Sequence, residues 1–170
     1  MKSYKTEEET RAYLDTLPSA EAKTLWLDYA YHDGECLNAI QDEGKYWNHS
    51  SNPNSCIGWP GASDQDSSYA LRDIKKGEEL FEDYGSYKHP SWLVNLCSEF
   101  GSDMSYYEIK EDVAAVNDKN AKAGFHVKYR LGQSKFGLGL FAEEDIAKGK
   151  LIWKSTRGEN VISFRGEKAV

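Results

Sequence analysis

The chain has 170 residues, 39 % of them hydrophobic, and a formal net charge of −7. That length suits one domain with a real core, and the acidic balance argues against a sequence-independent grip on nucleic-acid phosphates and for a basic peptide partner. No apolar run approaches the ~18 residues of a membrane span, residues 1–10 read as a charged start rather than a signal peptide, and Cys36, Cys56 and Cys97 lack disulfide or zinc spacing, so an intracellular setting, nucleus or cytoplasm, is expected.

Thr6-Glu7-Glu8-Glu9 is a capping-box pattern, and helix formers follow it to Leu17. Pro18 ends that helix and Ser19 can cap a second, with Leu25, Trp26, Tyr29 and Ala30 expected on one inward face. Asp33-Gly34 reads as a turn and Cys36 to Ile40 as a strand. Gly58 to Ser67 reads as loop, Ser68 to Arg72 as a strand, and Glu79 to Tyr84 as a strand that Gly85 breaks. Pro90 to Phe100 reads as a short helix, and 101–124 as a connector, helical in part over Tyr107–Val116. Phe125 to Arg130 alternates as a half-buried strand does. Gly132 to Gly139 reads as a loop, and Leu140 to Ala142, Leu151 to Lys154 and Asn160 to Phe164 as strands. With so few helices and so many short strands, the class is mainly β (α+β).

One stretch echoes another. Ala70-x-x-Asp73-Ile74-x-Lys76-Gly77 matches Ala142-x-x-Asp145-Ile146-x-Lys148-Gly149 in register. Each reads strand, turn, strand, with Asp opening the turn and Gly taking positive φ. Two similar corners are expected.

The richest chemistry lies in Tyr46-Trp47-Asn48-His49-Ser50-Ser51-Asn52-Pro53-Asn54. Asn and Ser side chains bond nearby backbone and Pro fixes φ, so this is a tight polar turn with an aromatic lead-in. It reads either as a surface turn or as a loop aimed at a ligand. In the strand Glu79 to Tyr84, alternation puts Leu80, Glu82 and Tyr84 on one face. Tyr84 is either a cleft-edge hydroxyl or a core tyrosine. Gly137-Leu138-Gly139 allows close backbone approach, yet lacks the third glycine and helix of a dinucleotide fingerprint.

Taken together, Asn48-His49-Ser50-x-x-Pro53-Asn54 and Ala70-x-Arg72-Asp73-Ile74-x-x-Gly77-Glu78-Glu79-Leu80-x-x-Asp83-Tyr84-Gly85 resemble the carboxy half of a SET-domain methyltransferase. Phe136-Gly137-Leu138-Gly139-Leu140-Phe141-Ala142-x-x-Asp145-Ile146-x-x-Gly149 resembles the amino half. The halves stand in reversed order. The resemblance thus implies a single circularly permuted SET fold of small curved sheets with a pseudoknot. Residues 1–45 would be a helical insert, 46–100 the carboxy half, 101–124 a connector and 125–170 the amino half. A domain-swapped dimer is the alternative to a permuted monomer.

The same resemblance implies transfer of a methyl group from S-adenosyl-L-methionine to a protein lysine. Phe136, Gly137, Leu138, Gly139, Asn48, His49 and Tyr84 would hold the cofactor, with Tyr84 at the methyl-transfer channel. Tyr46, Tyr69, Glu82, Tyr87 and Trp92 would line the lysine channel, Trp92 as lid or as simple packing. Ser51 stands where the family often has a cysteine that precedes a zinc-bound tail, so no metal is expected. Glu82 stands where the family commonly has an aromatic or small residue that helps set the methylation degree. Histone tails suit the acidic surface. The alternative is a catalytically silent SET fold that binds peptide or cofactor.

Overall fold

A computed structural model describes residues 6–32, 37–57, 67–87, 89–102, 122–156 and 159–164. In chain order, α1 (Thr6–Leu14), α2 (Ala20–Asp28), β1 (Ala30–His32) and β2 (Leu37–Ile40) come first. A 3-10 turn (Glu43–Tyr46) leads to β3 (Asn48–His49), β4 (Ser55–Ile57), β5 (Ser67–Ala70) and β6 (Phe81–Glu82). A second 3-10 turn (Tyr84–Ser86) precedes α3 (Ser91–Glu99). The last strands are β7 (Gly124–Phe125), β8 (Tyr129–Ser134), β9 (Gly137–Ala142), β10 (Leu151–Lys154) and β11 (Val161–Phe164). Helix and small sheets are mixed, with more strand than helix. The expected turn at Asp33-Gly34, Cys36, the loop over 58–66 and the connector over 103–121 lie outside the described residues.

The chain divides into two compact units, one drawn from 1–39, 85–114 and 162–170, the other from 40–84 and 115–161. In the first, Glu7, Glu8 and Glu9 open α1, where carboxylates complement the helix dipole. Ser19 Oγ accepts the Ala22 N–H at 3.2 Å and so caps α2 as its type allows. Leu14, Leu27, Ala30, Leu37, Leu93, Leu96 and Cys97 form the core. The expected inward stripe on α2 holds in part. Ala30 lies in the core and Trp26 packs against it, but Leu25 is 55 % exposed, and the buried residue of the helix is Leu27. Tyr29 and Ala30 belong to the chain leaving the helix, so a helical period no longer governs them.

The second unit holds a four-stranded sheet in the order β4-β5-β10-β7, a parallel pair β3-β6 and the antiparallel hairpin β8-β9. Its core includes Trp47, Ala70, Ile74, Leu80, Leu140, Ala142, Ile146, Ile152 and Trp153. The two echoed corners pair with each other. Ile74 and Ile146 exchange both backbone hydrogen bonds at 2.9 and 2.8 Å. Asp73 Oδ1 accepts the Lys148 N–H, and Asp145 Oδ1 accepts the Lys76 N–H, both at 2.9 Å. Gly77 N–H donates to Ala142 and Gly149 N–H to Ala70; both glycines take positive φ. Each residue of one corner thus does for its mate what the mate does in return, a local two-fold written into the repeated sequence. Ile74→Val and Ile146→Val should therefore cost nearly the same, each about 1 kcal/mol, measured by urea denaturation; a large inequality would show that only one corner is well packed.

Three more sequence expectations are corrected. The strand over Phe125 to Arg130 is two strands. β7 pairs with β10 and β8 with β9, so residues 126–128 form the corner between sheets. Gly132 to Gly139 is no open loop. It is ladder, with Gly132 paired to Gly139 around the two-residue turn Lys135-Phe136. Gly137 takes φ +110° after that turn, a value glycine adopts without strain. The strand over Glu79 to Tyr84 shrinks to Phe81–Glu82, and Tyr84 opens a 3-10 turn.

Candidate functional site

The Asn48 loop is built by the strand beside it. Asn48 and His49 pair in parallel with Phe81 and Glu82, and Ser50 N–H continues the ladder to Glu82 O at 2.9 Å. Asn54, buried at the loop's end, replaces a missing strand. Its Nδ2 donates to Glu79 O at 2.7 Å and its Oδ1 accepts the Phe81 N–H at 2.8 Å. Asn is the side chain that can present donor and acceptor together, as a peptide unit does. Ser55 Oγ donates to Phe81 O at 2.8 Å and accepts the Trp47 indole N–H at 3.0 Å.

Tyr84 is fixed at both ends. Its N–H donates to His49 Nδ1 at 3.1 Å, and its hydroxyl donates to the Trp47 carbonyl. The His49 and Tyr84 rings lie 5.4 Å apart. An Nδ1 that accepts an N–H carries no proton, so the His49 proton is on Nε2. Asp83 Oδ1 lies 3.7 Å from the same Nδ1, too long for a hydrogen bond, and does not alter that tautomer.

The glycine hairpin reaches the same loop. Asn48 Nδ2 donates to Leu138 O at 3.0 Å and to Glu79 Oε1 at 2.8 Å. Phe136 packs edge-on against Phe81, ring centroids 6.5 Å apart. Phe136 and Leu138 are nonetheless 52 % and 47 % exposed, and they form an apolar lip beside polar Asn48. So Asn48, His49, Glu82, Tyr84, Phe136, Gly137, Leu138 and Gly139 all belong to one unit.

The remaining sequence candidates are spread more widely. Tyr46 ends the first 3-10 turn, against the core of the same unit. Tyr69 pairs with Cys56 across β4 and β5. Tyr87 and Trp92 belong to the other unit. There Tyr87 meets Tyr31 at 5.3 Å and Trp92 meets His32 at 6.1 Å. Glu82 is 3 % exposed. Burial, and then the Glu82 carboxylate, push the Cys56 thiol up to about 11, so Cys56 is a poor nucleophile at neutral pH. Three carboxylates within five residues, Glu79, Glu82 and Asp83, favour cations at this end of the unit.

Sequence reasoning missed Glu79 and Ser134 as parts of the site, and named Trp47 and Asn54 in the loop without giving either a role of its own. Glu79 stood in the quoted Gly77-Glu78-Glu79-Leu80 run, but its role needs the hairpin, which comes from distant sequence. Trp47 contributes through its carbonyl, which no side-chain pattern announces.

A family model described as SET domain matches residues 2–85, which include the Asn48 loop and Tyr84. No curated protein and no solved structure matches the chain. SET domains are a methyltransferase family, typically of protein lysines, that normally draws on S-adenosyl-L-methionine. The match, on the stretch that holds Tyr84 between the Trp47 carbonyl and His49, supports a SET-domain protein.

Proposed function

We propose that this chain is an S-adenosyl-L-methionine-dependent protein-lysine methyltransferase whose two SET halves stand in circularly permuted order. One observation carries the reading. Asn48, His49 and Tyr84 share one unit with the Gly137–Gly139 hairpin, and Asn48 reaches it across ninety residues and a reversed order (Asn48 Nδ2 to Leu138 O, 3.0 Å). The exposed Phe136 and Leu138 offer apolar cover for a ligand, and the acidic run Glu79–Asp83 suits its positive charge. These residues therefore fit the cofactor. When bound, it supplies a methyl group already activated by the sulfonium.

The chain's own task is then alignment rather than acid–base work. Tyr84, held by the Trp47 carbonyl and His49, keeps an oxygen at the place of transfer. The lysine arrives as a cation and must lose a proton before its nitrogen can attack. Glu82, buried on β6, would hold that cation. Peptides rich in lysine, histone tails among them, suit the net charge of −7. Tritiated methyl transfer to histones and peptide arrays tests the reading, and cofactor binding without transfer to any substrate would leave a silent binding module. Light scattering on a sizing column separates a permuted monomer from a swapped dimer.

Glu82 is the residue that favours the silent module, since a buried carboxylate replaces the common aromatic or small residue. In the enzyme, Glu82→Gln should raise the peptide KM by roughly tenfold or more, with the number of methyl groups added followed by mass spectrometry. An unchanged KM and product would place Glu82 outside lysine recognition.

A further inference from the structure

Glu79 joins the Asn48 loop to the glycine hairpin through its two carboxylate oxygens. Its Oε1 accepts the Asn48 amide at 2.8 Å, and its Oε2 accepts the Ser134 hydroxyl at 3.0 Å. Its own carbonyl accepts the Asn54 amide, and it forms a backbone bridge to Phe141 of β9. Gly139 lies directly against it. A Cβ on Gly139 would collide with Glu79 Oε1 and stand 3.0 Å from both Glu79 Cδ and Asn48 Nδ2. Gly137 differs, because its Cβ would meet nothing within 4 Å and only its φ of +110° calls for glycine.

We infer that Glu79 is a positioning residue for the cofactor loop, and that Gly139 is glycine to admit the Glu79 carboxylate rather than a ligand. A carboxylate has only acceptors, so it directs both the Asn48 NH₂ and the Ser134 hydroxyl inward. That fixes which way the Asn48 amide points and turns its second N–H onto Leu138 O. A glutamine would place an NH₂ against one of those donors and force either Asn48 or Ser134 to turn. The effect on cofactor rests on the methyltransferase reading above; the packing of Glu79 on Gly139 does not.

A double-mutant cycle on ligand-free protein tests the packing. Gly139→Ala should lower the melting temperature by more than about 5 °C in the wild-type background. In the Glu79→Ala background, where the colliding oxygen is gone, it should lower it by less than about 2 °C. Equal drops in both backgrounds would overturn the inference. Calorimetric titration with S-adenosyl-L-methionine tests the positioning. Glu79→Gln should weaken binding by about tenfold to a hundredfold, with kcat at saturating cofactor within about threefold, and Ser134→Ala should weaken it less. A kcat loss at unchanged affinity would refute a positioning role. Wild-type protein that bound no cofactor would refute the methyltransferase reading, and the melting cycle would still decide the packing of Glu79 on Gly139.

Discussion

Tyr84→Phe is expected to slow methyl transfer by about a hundredfold while cofactor affinity stays within about a factor of three. The substitution removes one oxygen and leaves the ring on His49, and the backbone bond from Tyr84 N–H to His49 Nδ1 persists. What goes is the hydroxyl that the Trp47 carbonyl holds in place. On the proposed reading transfer depends on alignment, so the loss should appear in kcat rather than in binding. The fold should lose only about 1 kcal/mol, the usual net worth of one hydrogen bond. Single-turnover transfer with titration of cofactor separates the two effects. Full activity in the phenylalanine variant would remove Tyr84 from the chemistry.

The second large effect is on stability at mildly acid pH, and it comes from the other unit. His89 is fully buried, and the Tyr87 ring lies 6.3 Å from its own. Burial, and then the nearby His32 imidazole, lower its pKa from 6.5 to about 3. In the unfolded chain His89 takes up a proton as pH falls through about 6.5; in the folded chain it waits until about 3. Across that window the unfolded state binds more protons, so stability falls as pH falls. Between pH 7 and pH 4 this single group should remove on the order of 3 kcal/mol. Urea denaturation at a series of pH values measures it, with His89→Gln as comparison. Carboxylates contribute to the acid limb of both proteins, so the difference between the two profiles isolates the imidazole. Parallel profiles between pH 4 and pH 7 would show that His89 is already solvated or charged in the fold.

Much of the site was legible because the chemistry is local. Asn48-His49 and Tyr84 announce themselves by residue type, and the repeated Asp-Ile-x-Lys-Gly corners announce their turns. The corners are also where local pattern and observed structure agree most closely, since Asp and positive-φ glycine act within a few residues. The failures share a cause. Phe125 to Arg130 alternates perfectly well for a strand, yet two different sheets claim its ends. Gly132 to Gly139 carries three glycines and reads as loop, yet each strand of the hairpin supplies the other's missing hydrogen bonds. Leu25 looks like core, yet α2 turns Leu27 inward and leaves Leu25 exposed.

The sequence alone determined the mixed, strand-rich class, the two echoed corners and the residue types of the site, because spacing and turn chemistry are properties of neighbouring residues. Tertiary structure alone decided that Glu79 lies beneath Gly139, that Asn48 reaches Leu138 and that the Trp47 carbonyl receives the Tyr84 hydroxyl. Those contacts join residues 30 to 90 positions apart. Only the pairing of strands drawn from both ends of the chain brings such groups within hydrogen-bonding range.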